Sequence, residues 1–152
     1  MKKQIITTDK APAPIGPYNQ AIKIDKMLFV SGQIPMTNSM ELIQNNLRKE
    51  TKQVMENLNA ILKEADMNFD HVVKTSIFID NMDNFEIINE EYGKYFRDGD
   101  EPARETVAVK TLPKNARVEI SMIAHKGNWI KILNDYKSTT IQGGVAQLVR
   151  AR

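Results

Sequence analysis

The sequence predicts an α+β fold in which two helices cover one face of a mixed β-sheet. Residues 46–65 and about 83–96 repeat apolar side chains at spacings of three and four, the mark of an amphipathic helix. Residues 117–125 alternate instead, with Val118, Ile120, Met122 and Ala124 between Arg117, Glu119, Ser121 and His125, as a strand with one buried face requires. A β-branched run at 71–79 supplies a strand between the two helices.

In chain order, strands are expected near 3–7 and 19–24, followed by the short apolar run 27–31. The first helix carries Leu47, Thr51, Val54, Leu58, Ile61, Leu62 and Ala65 on one stripe. In the strand 71–79, Val73, Ile77 and Ile79 are expected on one face and Val72 and Phe78 on the other. The second helix places Phe85, Ile88, Tyr92, Tyr95 and Phe96 at helical spacing, with Asp83 or Asn84 as its cap. Strands at 104–110 and 117–125 follow, joined by a turn holding Leu112, Pro113, Lys114 and Asn115. The order is β-β-β-α-β-α-β-β. Each helix between two strands predicts a right-handed crossover joining parallel neighbours, with hairpins supplying the antiparallel pairs. Two helices shield only one sheet face, yet 71–79 is apolar on both, so identical subunits are expected to pack on the open face.

At 152 residues the chain is about one domain, large enough to hide roughly 70% of the surface its unfolded form exposes. It has no cysteine, which excludes disulfides, thiolate metal sites and a cysteine nucleophile. The start MKKQIITTDKAPAP has no apolar core and does not read as a signal peptide, and no run approaches a membrane span, so a cytoplasmic location is expected. Residues 127–152 hold Lys131, Lys137, Arg150 and Arg152 against Asp135, a net +3 in a chain of net +2. Residues 1–126 are therefore at −1, without the clustered positive charge that phosphate binding needs, and no nucleic-acid partner is expected.

The local strings are more specific than the composition. Gly16-Pro17-Tyr18, Val30-Ser31-Gly32-Gln33-Ile34-Pro35 and Asn57-Leu58 come first. Val73-Lys74-Thr75, Met82-Asp83-Asn84-Phe85, Asn89 with Tyr92 and Tyr95-Phe96, Pro102-Ala103-Arg104, Leu112-Pro113 and Val118-Glu119-Ile120 follow. In order and spacing, this series across residues 1–126 resembles the RidA/YjgF family. The resemblance implies a chorismate-mutase-like fold, a homotrimer with sites between subunits, and no cofactor. It also implies hydrolysis of 2-iminobutanoate, 2-iminopropanoate and related imines or enamines to 2-oxo acids and ammonia. The chain departs from the family in the loop Met36-Thr37-Asn38-Ser39-Met40-Glu41, where an Asp-Pro-x-Thr-Gly-Glu turn is usual, and at Thr106, where many members carry cysteine and others threonine.

By the same resemblance, Arg104 holds the substrate carboxylate, for which its planar fork of N–H donors is suited. Glu119 matches the residue that directs and activates water as a general base. Tyr18 matches a site-lining hydroxyl, and Ser31, Gly32, Asn89 and Thr106 match further substrate-binding positions. His71 and His125 stand apart from any acidic or thiol cluster and read as structural or solvent-facing, so no metal site is expected.

The resemblance stops near Lys126. The stretch GGVAQLVRAR looks like the conceptual translation of a transfer-RNA gene, which suggests a mobile appendage at 127–152 without catalytic duty; the alternative is that Trp129, Ile130 and Leu133 dock as a short helix. A non-catalytic metabolite-binding regulator and a chaperone-like role are the rival functional readings. RNA cleavage disagrees with the charge balance.

Overall fold

A computed structural model describes residues 2–127. The expectations for the tail, Trp129, Ile130 and Leu133 included, fall outside the described residues. The elements are β1 (Lys3–Ile6), β2 (Ala21–Ile24), β3 (Met27–Gln33), α1 (Leu47–Glu64), β4 (Val72–Ile79), α2 (Phe85–Gly93), β5 (Ala103–Ala108) and β6 (Val118–His125). This is the predicted order, in an α+β architecture with one six-stranded mixed sheet and two helices.

The strand order is β1-β2-β3-β6-β4-β5. Of the two crossovers, only β4–α2–β5 joins parallel neighbours; between β3 and β4 lies β6, antiparallel to both. Nor does β6 pair with β5, as the short turn between them suggested. The reason is burial. On β6, Val118, Ile120 and Ala124 are fully buried against the helices, so this strand takes a central place. The more polar β5 sits at the edge, where its outer backbone groups meet water.

The helices seal one face. On α1, Val54, Met55, Leu58, Ile61 and Leu62 have no exposed surface, and together with Ile77, Ile79, Ile120 and Met122 of the sheet they make the core. Asn46 caps α1 by accepting from the Lys49 amide at 3.0 Å. Asn57, buried on the same helix, donates to the carbonyls of Ile34 and Met36, tying α1 to the loop after β3. Asn84 stands at the N-cap of α2, as expected, but its side chain makes no capping bond; the capping bond comes earlier, where Asn81 accepts from the Asp83 amide and caps a short 3₁₀ turn that leads into the helix. His71 closes a capping box with Asn68, a structural role.

Two bulges decide which residues reach which face. One extra residue on β4, between Val72 and Lys74, puts Val72 on the core side opposite Ala124 and leaves Val73 40% exposed, the reverse of the alternation expected from the sequence. A second, between Val30 and Gln33 on β3, interrupts the pairing with β6 at Ser31 and Gly32. In the single chain the other sheet face is open, with Phe29 and Val107 exposed and Phe78 and Ile123 half-buried.

The loop that departs from the family turn closes all the same. Met36 bridges Leu42, and the Thr37 amide donates to the Glu41 carbonyl at 2.8 Å. Met40 stands at the position of the family glycine and adopts a left-handed φ of 69°, a conformation that side chains disfavour.

Candidate functional site

Glu119 lies on the open face of the sheet. Its register partner on β4 is Phe78, whose neighbours Ile77 and Ile79 point into the core, so the alternation of the pleat turns Phe78 and Glu119 away from the helices. The half-buried carboxyl reaches a cleft of about 350 Å³ lined by Ile15, Tyr18, Ser31, Gly32, Ile34 and Pro113 besides itself. Burial alone pushes its pKa above the ordinary carboxylate value.

The β3 bulge brings Ser31 and Gly32 to this cleft. The Ser31 hydroxyl donates to the Asn19 carbonyl at 2.6 Å, which commits its proton and leaves the oxygen able to accept. Tyr18 is 46% exposed, and its hydroxyl accepts from the Ile15 amide at 3.3 Å. The segment that carries both is anchored by buried Gln20, whose side chain accepts from the Thr8 amide and donates to the carbonyls of Thr8, Ala11 and Pro12.

Arg104 is elsewhere. It is paired across the parallel ladder with Thr75, a buried core-side residue, and so projects on the helix side of the sheet's outer edge. Nη1 donates to Asn89 Oδ1 at 2.7 Å, and the guanidinium stacks 5.2 Å from the Tyr92 ring centroid and 5.8 Å from that of Phe85. The Tyr92 hydroxyl in turn donates to Thr75 Oγ1 at 3.2 Å, and burial raises its pKa. Thr106, two residues along β5, faces the same side; its hydroxyl oxygen is enclosed and has no hydrogen-bond partner among the described residues.

The residues expected to form one site therefore separate into two clusters within a single chain. Tyr18, Ser31, Gly32 and Glu119 share the open-face cleft. Asn89, Arg104 and Thr106 gather at the β5 edge beside α2. Sequence reasoning did not single out Ile15 and Ile34 as cleft walls, nor Phe85 and Tyr92 as the platform under Arg104. The second omission was legible: Phe85, Asn89 and Tyr92 are spaced four and three apart on one helix, so all three present one face to whatever packs there.

Comparison with known proteins matches residues 8–126 to the family described as endoribonuclease L-PSP. A Mus musculus protein named 2-iminobutanoate/2-iminopropanoate deaminase is 42% identical over 130 residues, covering 85% of this chain and 96% of the mouse protein. A RutC family protein of Pyrococcus abyssi is also 42% identical, over 83% of this chain and 99% of that one. Among solved structures, Escherichia coli TdcF with bound serine superposes with a TM-score of 0.77 at 34% identity, over 82% of this chain and 99% of that one.

Proposed function

The chain belongs to the endoribonuclease L-PSP family, the RidA/YjgF proteins, and from that premise we propose that it hydrolyses reactive enamines and imines of 2-amino acids, 2-iminobutanoate and 2-iminopropanoate among them. The two clusters are the halves of one site, completed when identical copies pack on the open sheet face, as in the homotrimer the resemblance implies. Arg104 and Asn89 of one copy then face the Glu119 cleft of another.

The observation that supports this reading most is the Glu119 carboxyl itself, half-buried in a cleft and accepting no hydrogen bond among the described residues. A carboxyl left unengaged, with a raised pKa, is suited to taking a proton from water near neutral pH. The substrate's carboxylate would lie on the Arg104 fork, held by charge-assisted hydrogen bonds of about 1.5–3 kcal/mol each. Water then adds to the iminium carbon while Glu119 accepts its proton. Glu119 passes that proton to the nitrogen and then takes the hydroxyl proton as the carbonyl forms and the C–N bond breaks, so that ammonia and a 2-oxo acid leave. The exposed apolar groups Phe29 and Val107 are covered by the same packing.

The test couples a threonine dehydratase to the purified protein and follows imine disappearance; faster loss than the buffer rate is expected, and the buffer rate alone would end the reading. The bound serine in the TdcF structure favours a second reading, a binder of small amino or oxo acids that turns nothing over. Ligand binding without imine hydrolysis would select it.

A further inference from the structure

We infer that Gly32 is a positioning residue: the space left by its missing side chain is the seat in which the Glu119 carboxyl is held. A Cβ built on Gly32 would stand 2.0 Å from Glu119 Oε1, 2.9 Å from Cδ and 3.0 Å from Cγ. Three successive atoms of one side chain thus lie against the bare strand backbone, Oε1 and Cδ nearer than a β-carbon tolerates and Cγ at the limit.

The backbone itself does not call for glycine here. Among the described residues Gly99 is the one glycine in the left-handed region, and Gly32 is outside it. The requirement is space alone. By contrast, a Cβ on Gly93 would meet nothing within 4 Å, and one on Gly16 would make only ordinary contact with the Tyr18 ring.

The β3 bulge explains how the seat arises. The extra residue between Val30 and Gln33 breaks the ladder to β6 opposite Ser121, so Gly32 has no strand partner there and meets instead the side chain of Glu119, two residues along β6. No described donor bonds the carboxyl, and the other titratable group lining the cleft is Tyr18. Shape therefore does the orienting that hydrogen bonds perform for Arg104. A methyl group at Gly32 would push the carboxyl off the strand and into water, and aim it away from the position where it meets the substrate's water.

The effect on rate rests on the proposed role of Glu119; the seat does not. The experiment compares wild type, Gly32→Ala, Glu119→Ala and the double variant by thermal melting, by carbon-13 NMR titration of the Glu119 carboxyl, and by imine turnover. Gly32→Ala is expected to lower kcat by about 100-fold with little change in KM, and to move the Glu119 titration down toward an ordinary glutamate. Its melting penalty should largely vanish in the Glu119→Ala background, because the clash is with that side chain. If Gly32→Ala does not fold, recovery of a folded double variant supports the seat, and a double variant that also fails to fold overturns it. A Gly32→Ala protein with the wild-type titration and an equal melting penalty in both backgrounds overturns it as well. Absence of turnover in the wild type would end the proposed function and leave these two readouts to decide the seat.

Discussion

Arg104 and Glu119 stand on strands of the same sheet and are held in opposite ways. The guanidinium is fixed by attractive contacts: a hydrogen bond to Asn89, two aromatic faces, and behind them the Tyr92–Thr75 bond. The carboxyl has no such partner among the described residues and rests in a gap in the β3 backbone. A cation meant to grip a carboxylate works best when pre-oriented, since little freedom is then lost on binding. An acid meant to exchange protons works best with its oxygens unengaged, since every donor that stabilised its charged form would lower its pKa. The contrast fits two roles, anchor and proton carrier.

The largest effect tests whether the clusters are halves of one site. Arg104→Ala should lower kcat/KM on the order of 10²–10⁴-fold, the loss of two charge-assisted bonds, and Arg104→Lys should recover little because a lysine neither forks nor stacks. Glu119→Gln should lower kcat on the order of 10²–10⁴-fold. Refolding the two inactive variants together should restore activity to about a quarter of wild type, because random mixing leaves one shared site in four intact. No recovery would mean that the two clusters do not meet between copies.

A smaller effect separates the platform under Arg104 from its scaffold. Tyr92→Leu should raise KM roughly 3- to 30-fold through loss of the cation–π contact. Tyr92→Phe keeps the ring and should leave KM alone while costing about 1 kcal/mol of stability, measured by denaturant titration, for the lost bond to Thr75. Equal KM values for both variants would remove the platform.

The electrostatic side of the comparison is read from stability against pH. Burial raises the Glu119 pKa above its usual 4.5, so its contribution to folding is fully present below that value and lost as the pH climbs through the folded-state pKa. In an Arg104→Ala background, Glu119→Gln should therefore melt higher than its parent near neutral pH, with the gain fading as the pH falls toward 4. A gain independent of pH would argue against a raised pKa. The smallest effect lies outside both clusters: Met40→Gly, which relieves a left-handed φ, should add roughly 1 kcal/mol of stability at an unchanged rate.

Much of the fold was legible in the residues. The amphipathic stripes at 46–65 and 83–96 announced both helices, because apolar groups at spacings of three and four line up on one side only when the chain turns every 3.6 residues. The alternation at 117–125 announced β6 and placed Glu119 on its polar face. Arg104, Glu119 and the serine-glycine pair were reached through motif resemblance, since charged residues on a strand are common in any protein. Strand order was less accessible. The polarity of β5 was the one local sign of its edge position, and the bulge at Val73, which reversed the faces at the start of β4, follows no local pattern in HVVKTSIFI.

Local sequence determined which elements form, which side of each helix is buried, and which side chains have the chemistry for a carboxylate and a water. Only the tertiary structure decided where those side chains point. Arg104 faces the helices because β5 pairs with β4 in one register, and Glu119 faces away because β6 pairs with the same strand in another. Side chains alternate with a period of two, so a shift of one residue in either ladder would exchange the faces. Registers of that kind are set by contacts between residues far apart in the chain, and no short stretch of sequence contains them.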